Sequence, residues 1–148
     1  MTVLSAGVLL HRAGPDGAVQ VLLAHMGGPF WARKDEGAWS IPKGEHPEPE
    51  DPRDAARREF AEELGSPVPE GDLRALGTVR SGSKVIAAFA LAGDLDADKI
   101  VSNTFELEWP PRSGRTQSFP EVDRAAWFDI ETARRKIVKS QRAFLDRL

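Results

Sequence analysis

The chain has 148 residues, enough for one domain with a real core and no covalent staples. Hydrophobic residues make up 41% and charged ones 29%, which excludes a disordered chain, and a net charge of −3 argues against broad, non-specific nucleic-acid binding. With no cysteine, disulfides, thiolate zinc sites and cysteine nucleophiles are all excluded.

Met1 to Leu10 is apolar but lacks the basic start and length of a signal peptide, and no apolar run approaches the roughly 20 residues that span a bilayer. A cytoplasmic protein with no membrane partner is expected. Val3 to Leu10 and Ala18 to Ala24 flank the turn sequence Ala13-Gly14-Pro15-Asp16-Gly17 and read as a β-hairpin. Both apolar runs are nearly continuous, so these strands should be covered on both faces. Gly27 to Gly37 reads as a loop carrying Phe30 and Trp31, two aromatics that could stack a nucleobase, although burial is the commoner fate of such rings.

Next comes the best-delimited element. Asp51 is placed to cap a helix, Pro52 fits its first position and Asp54 its first turn. Ala55 to Leu64 are good helix formers, and Gly65 followed by Pro67 ends the run. Leu73 to Arg80 and Lys84 to Leu91 read as strands around Ser81-Gly82-Ser83, with weaker strand signals at Phe105 to Trp109 and Ala125 to Ile130. Pro110 to Pro120 reads as a loop, and Glu131 to about Leu148 as a closing helix with Ile137, Phe144, Leu145 and Leu148 as its apolar contacts. There is no repeat and no linker, so residues 1–148 form one α/β domain in this reading.

Chemistry concentrates between Gly44 and Gly65. Glu59, Glu62 and Glu63 stand at i, i+3 and i+4, so three carboxylates share one helix face. Ala56, Phe60 and Leu64 form a neighbouring stripe that would press the helix onto a sheet. Three like charges repel, each exposed pair costing a few tenths of a kcal/mol. Arg57 and Arg58 offset part of that, and a bound cation would offset more. An all-oxygen set suits hard ions and disfavours zinc. Three glutamates alone would still be read as a solvated face.

The flanking residues change that reading. Gly44, Glu50, Arg58, Glu59, Glu62, Glu63 and Gly65, with Phe60 in an apolar slot, resemble the signature of the Nudix hydrolase family. Seven such letters coincide by chance roughly once in 10⁸ placements. One position departs: Ser66 stands where the family usually has an apolar residue.

The resemblance implies an α/β/α sandwich with a mixed sheet between helices, and hydrolysis of a nucleoside di- or polyphosphate with Mg²⁺ or Mn²⁺. It implies metal binding chiefly through Glu59, Glu62 and Glu63, with Gly44 among the metal-site residues, and it gives Arg58 the task of holding a catalytic carboxylate. Gly44 and Gly65 would supply tight backbone turns. A further carboxylate, metal ligand or general base, is expected near Glu121.

Trp39-Ser40-Ile41-Pro42-Lys43-Gly44 looks like the branch that hydrolyses diadenosine tetraphosphate, with Lys43 a phosphate-binding charge and Trp39 beside the substrate. Arg112 and Arg115, on a Pro-then-Gly loop, suit phosphate clamping. The partner is therefore a small nucleotide, first choice a dinucleoside polyphosphate, with no stable nucleic-acid complex. The alternatives are a modified nucleoside triphosphate, ADP-ribose or a nucleotide sugar, an RNA 5′ end, or a nucleotide sensor that does not turn over. His11, His25 and His46 have no partner at ligand spacing and read as surface or packing histidines. The basic face at Arg134, Arg135, Lys136 and Lys139 reads as solvated.

Overall fold

The computed structural model describes residues 2–148. Strand β1 (Val3–Ala13) turns through Gly14–Ala18 into β2 (Val19–Met26), as expected. The turn is closed by Gly14 N–H to the Ala18 carbonyl and by the Asp16 side chain accepting from Ala18 N–H, with Gly17 at φ 83°. The two strands pair only at His11↔Val21 to Ala13↔Val19 and then diverge.

The wedge between them is filled by two short strands that the sequence reading missed. β3 (Trp39–Ser40) pairs with β2, and β4 (Lys43–His46) pairs with the first half of β1. Ile41 and Pro42 cross between them, and the Pro42 carbonyl accepts from Val8 N–H at 3.2 Å. This wedge sets Lys43 and Gly44 in the middle of the sheet, under the helix that carries the glutamates.

That helix, α1 (Pro52–Leu64), has the predicted ends. Asp51 accepts from Arg53 N–H at 2.8 Å, Pro52 opens the first turn, and Gly65 closes it in the left-handed region at φ 79°. Strands β5 (Arg74–Ser81) and β6 (Lys84–Ala92) form the second hairpin, and β6 lies parallel to β1 along Val3↔Lys84 to His11↔Ala92. β7 (Thr104–Glu108) and β8 (Thr116–Pro120) make a separate two-stranded ribbon, so half of the expected loop at 110–120 is strand. β9 (Val122–Asp129) returns to the far edge of β2.

The closing helix is the main departure. It breaks into α2 (Ile130–Lys136), a 3-10 turn (Lys139–Gln141) and α3 (Arg142–Asp146). Ile137 is extended, bridges Trp39, and is followed by Val138 N–H donating to the Trp39 carbonyl at 2.8 Å. Two successive β-branched residues fit that extended contact better than a helix interior, and burying Ile137 completely outweighs the helical propensity of its neighbours.

The sheet is covered on both faces. Ala6, Val8, Leu10, Leu22 and Phe89 meet Ala55, Ala56, Phe60 and Leu64 of α1 on one side. Leu9, Val21, Leu23, Ile86 and Ala88 meet Ala133, Ile137, Phe144 and Leu145 on the other. Alternate residues of β1 thus enter different cores, which explains its unbroken apolar run. The architecture is the expected α/β/α sandwich around a mixed sheet. Among the described residues no helix is long and apolar enough to cross a membrane.

Candidate active site

The core stripe of α1 turns the neighbouring flank of the helix toward β4. Glu59 is buried there, with its carboxylate against the backbone of Gly44. A Cβ added at Gly44 would lie 2.0 Å from Glu59 Oε2, so only glycine leaves room for that carboxylate. This corrects the expectation of a turn: Gly44 is paired in strand β4 with Ala6, and close approach is what it provides. Its carbonyl accepts from the Ser5 hydroxyl at 2.9 Å.

Arg58 holds Glu59 in that slot. Its guanidinium forks onto Glu50 through Nε at 3.0 Å and Nη2 at 2.8 Å, and Nη1 donates to Glu59 Oε1 at 2.7 Å. Nη1 also lies 3.6 Å from Glu62 Oε1. Two-point binding to Glu50 fixes the plane of the arginine, so its third donor points in a set direction. Glu50, a letter of the motif with no role read from sequence, is therefore the anchor. Hydrogen bonding to Arg58 holds the Glu50 carboxyl below its ordinary range. Burial, opposed by Arg58, raises Glu59.

Glu63 follows one turn further along the helix and is half-buried. Its Oε1 accepts from the Lys43 backbone N–H at 3.2 Å, yet burial dominates and pushes its pKa up to about 8. Burial likewise lowers Lys43, with Lys84 adding to the effect and Glu63 opposing it. Glu121 enters from the opposite wall, between β8 and β9. Its N–H donates to the Asn103 carbonyl and its carbonyl accepts from Gly27 N–H, both at 2.9 Å.

Lys43, Gly44, Glu59, Glu62, Glu63 and Glu121 thus line one open cleft of about 400 Å³. Lys84 lines it as well, a residue that sequence reasoning did not select because its nearest charged partner, Glu45 at 4.0 Å, is brought near only by pairing on either side of β1. Among the described residues no three carboxylate or imidazole groups converge on one point as they stand: Glu59 is turned to Arg58 and Glu63 to the Lys43 amide. The donor set nevertheless fits a hard divalent cation. All its side-chain donor atoms are carboxylate oxygens, the ligand type such an ion prefers.

Beside the cleft, Met26, Trp31, Ile41, Phe105 and Val122 form an apolar recess of about 230 Å³ that shares Lys43, Glu63 and Glu121 with it. Trp31 is there; Phe30 instead projects to pack edge-on against Trp109 at 5.3 Å. Trp39, expected beside the substrate, lines neither the cleft nor the recess. It is 4% exposed, lies in the second core against His25 and Phe128, and its indole N–H donates to Asp35 at 2.9 Å. A ring so enclosed has no free face to offer a ligand. Arg112 and Arg115 also stand away from the carboxylates, at the tip of the β7–β8 ribbon. Four residue steps separate that tip from the Thr104↔Pro120 end beside Glu121, about 13 Å of strand.

Comparison with known proteins agrees with this architecture. The NUDIX domain family model matches residues 1–148. The chain is similar in fold to a C. elegans Ap4A hydrolase solved as a binary complex (TM-score 0.62, 20% identity, covering 99% of this chain and 94% of that one). It is also similar to the NUDIX domain of Shewanella oneidensis NrtR complexed with ADP ribose (TM-score 0.65, 16% identity, 99% and 86%). A third similar structure is the MutT protein of Methanosarcina mazei Go1 (TM-score 0.58, 20% identity, 99% and 91%). No curated protein sequence matches the chain. The chain belongs to the Nudix domain family, and as an enzyme it is a Nudix-type pyrophosphohydrolase.

Proposed function

We propose that this enzyme uses Mg²⁺ or Mn²⁺ to hydrolyse a nucleoside-linked polyphosphate, with a dinucleoside polyphosphate such as diadenosine tetraphosphate as preferred substrate. The observation that carries the reading is one cleft lined by five glutamates and two lysines, with two recesses adjoining it. The second recess, about 500 Å³, is lined by Ser83, Lys84 and Gln141 and shares Met26, Trp31, Ser40 and Lys43 with the first. Two recesses that both open beside Lys43 and the carboxylate cleft give room for a substrate with a nucleoside at each end. The described likeness to an Ap4A hydrolase is in keeping with that choice.

Glu59, Glu62 and Glu63, with the Gly44 carbonyl, would hold the divalent cation. When bound, the ion supplies neutralisation of phosphate charge and a water acidified for attack. The chain does the rest. Arg58 and Glu50 keep Glu59 against Gly44, so that carboxylate is held at the cleft before substrate arrives. Lys43 and Lys84 bind phosphate oxygens on either side of the reacting phosphorus. Glu121, exposed on the opposite wall, accepts the water proton on a carboxylate oxygen. Water oxygen bonds to phosphorus, the bridging P–O bond breaks, and the released half leaves with that oxygen. Arg112 and Arg115, at the ribbon tip, can reach only the far part of a long substrate.

A reading as an ADP-ribose hydrolase is favoured by the NrtR likeness alone, since its solved complex holds ADP ribose. Steady-state kcat/KM at fixed Mg²⁺ and ionic strength separates the two. Diadenosine tetraphosphate should exceed ADP-ribose, modified nucleoside triphosphates and capped RNA ends, and activity should vanish in excess EDTA. A preference for ADP-ribose would transfer the enzyme to the nucleotide-sugar branch. Full activity in EDTA would remove the metal site.

A further inference from the structure

The pairing of β2 with β9 slips by one residue beside the site. His25 faces Arg124 and Met26 faces Val122, leaving Asp123 as an extra residue in β9. Such a β-bulge bends its strand and re-aims the neighbouring side chains. Here the side chain of the extra residue is tied down. The His25 ring is fully buried, its Nδ1 is hydrogen-bonded to the Asp123 carboxyl group at 2.8 Å, and its Nε2 lies 2.6 Å from the Lys34 carbonyl. A carbonyl only accepts, so Nε2 carries hydrogen and donates. Trp39 packs against the ring, edge to face, at 5.1 Å between centroids.

What the bulge carries is Glu121. Two residues before Asp123, its carbonyl accepts from Gly27 N–H, two residues after His25, at 2.9 Å. Val122 pairs with Met26 between them. The backbones approach so closely that a Cβ at Gly27 would fall 1.9 Å from the Pro120 carbonyl oxygen. His25–Asp123 at one end and Gly27–Glu121 at the other therefore bracket a short rigid segment, and Glu121 leaves the strand from its cleft end. A buried imidazole is a costly packing residue, and removing the extra residue would restore regular pairing; both features are consistent with a geometric requirement at Glu121.

We propose that His25 and Asp123 are positioning residues for Glu121: the buried imidazole–carboxyl pair holds the bulge, and the bulge aims the glutamate into the carboxylate cleft. This rests on the role given to Glu121 above. Through Lys34, the same histidine also anchors the loop bearing Trp31.

Asp123→Ala removes the partner of Nδ1, whereas Asp123→Asn keeps a side chain that can hydrogen-bond it in either direction and serves as the conservative control. In the metal-free protein, amide exchange at Gly27 and Glu121 should accelerate about tenfold or more in Asp123→Ala and about threefold or less in Asp123→Asn, with β6 amides unchanged. Unchanged exchange at Gly27 and Glu121, or equal acceleration throughout β6, overturns the proposal. In the metal-loaded enzyme with diadenosine tetraphosphate, Asp123→Ala should lower kcat about tenfold while KM stays within about twofold. In a Glu121→Gln background the same substitution should cost about twofold or less, because both changes act through one group. Equal losses in both backgrounds, or a loss confined to KM, also overturns it. Wild-type turnover in Glu121→Gln alone would instead remove the role assigned to Glu121, and amide exchange then still decides whether the pair holds the bulge.

Discussion

On the helix wall of the cleft, Glu59 is gripped by Arg58, Arg58 is forked on Glu50, and Gly44 leaves a slot that the carboxylate fills. On the opposite wall, Glu121 is exposed and belongs to a segment fixed by two backbone hydrogen bonds and a bulge, with the β7–β8 ribbon extending beyond it. The first wall draws its residues from 22 consecutive positions, Gly44 to Gly65, and from one capped helix. The second is assembled from β2, β9 and the ribbon. The difference teaches where tolerance should lie: a small displacement on the helix wall moves a reacting group, whereas the ribbon tip can change with little cost to chemistry.

The largest loss should follow from the glutamates of the helix wall. Glu62→Gln and Glu63→Gln keep size and remove charge, and each should lower kcat on the order of 10³-fold with the fold intact. Circular dichroism and steady-state rates on the same preparations check this, and folded variants with near-wild-type turnover would break the metal assignment. Next comes the slot. Gly44→Ala forces its Cβ into the Glu59 carboxylate and should cost about 10²-fold in kcat, the scale of a misplacement near 1 Å. Arg58→Lys, which keeps charge but loses the fork, should fall in the same range. If Gly44→Ala is as active as wild type, the two walls do not differ as described.

A thermodynamic effect sharpens the comparison. Burial raises Glu63 to about 8 in the metal-free protein. A carboxyl raised on folding binds its proton more tightly in the folded state than in the unfolded one, so its contribution is full below the ordinary carboxylate range. That contribution is lost as pH rises toward about 8. Thermal unfolding in EDTA should therefore show wild type losing stability from pH 5 to pH 8 relative to Glu63→Gln, whose side chain does not titrate, and excess Mg²⁺ should reverse the loss. Parallel curves for the two proteins would remove the buried-carboxyl explanation.

The smallest effects belong to the ribbon tip. Arg112→Ala and Arg115→Ala should raise KM for diadenosine tetraphosphate by about threefold and leave ADP-ribose kinetics unchanged, because only the longer substrate reaches that far. Lys43→Ala should cost more on both substrates and most on the longer. A tenfold loss of kcat in Arg115→Ala would bring the ribbon into the chemistry and erase the contrast between the walls.

How legible these features were depends on how local their causes are. The limits of α1, the shared face of Glu59, Glu62 and Glu63, and the two-sided burial of β1 all follow from short-range patterns: a cap, a period of 3.6 and an unbroken apolar run. Other features depend on partners far away in the chain. Trp39 reads as a ligand contact from its place before Lys43, but its neighbours His25 and Phe128 put it in the core. The closing helix reads as continuous until Ile137 is claimed by Trp39 across the sheet. Lys84 and Asp123 carry no local mark at all.

The amino-acid sequence by itself determined the α/β class, the helix that bears the glutamates and the face its three carboxylates share, because each rests on contacts or spacings within a few residues. Only the tertiary structure decided that Gly44 serves as a slot for Glu59, that Glu50 anchors Arg58, and that Glu121 faces Glu63 across the cleft. It also set Arg112 and Arg115 apart from the carboxylates. These outcomes depend on strand pairing and register, where one extra residue such as Asp123 changes which side chain enters the site.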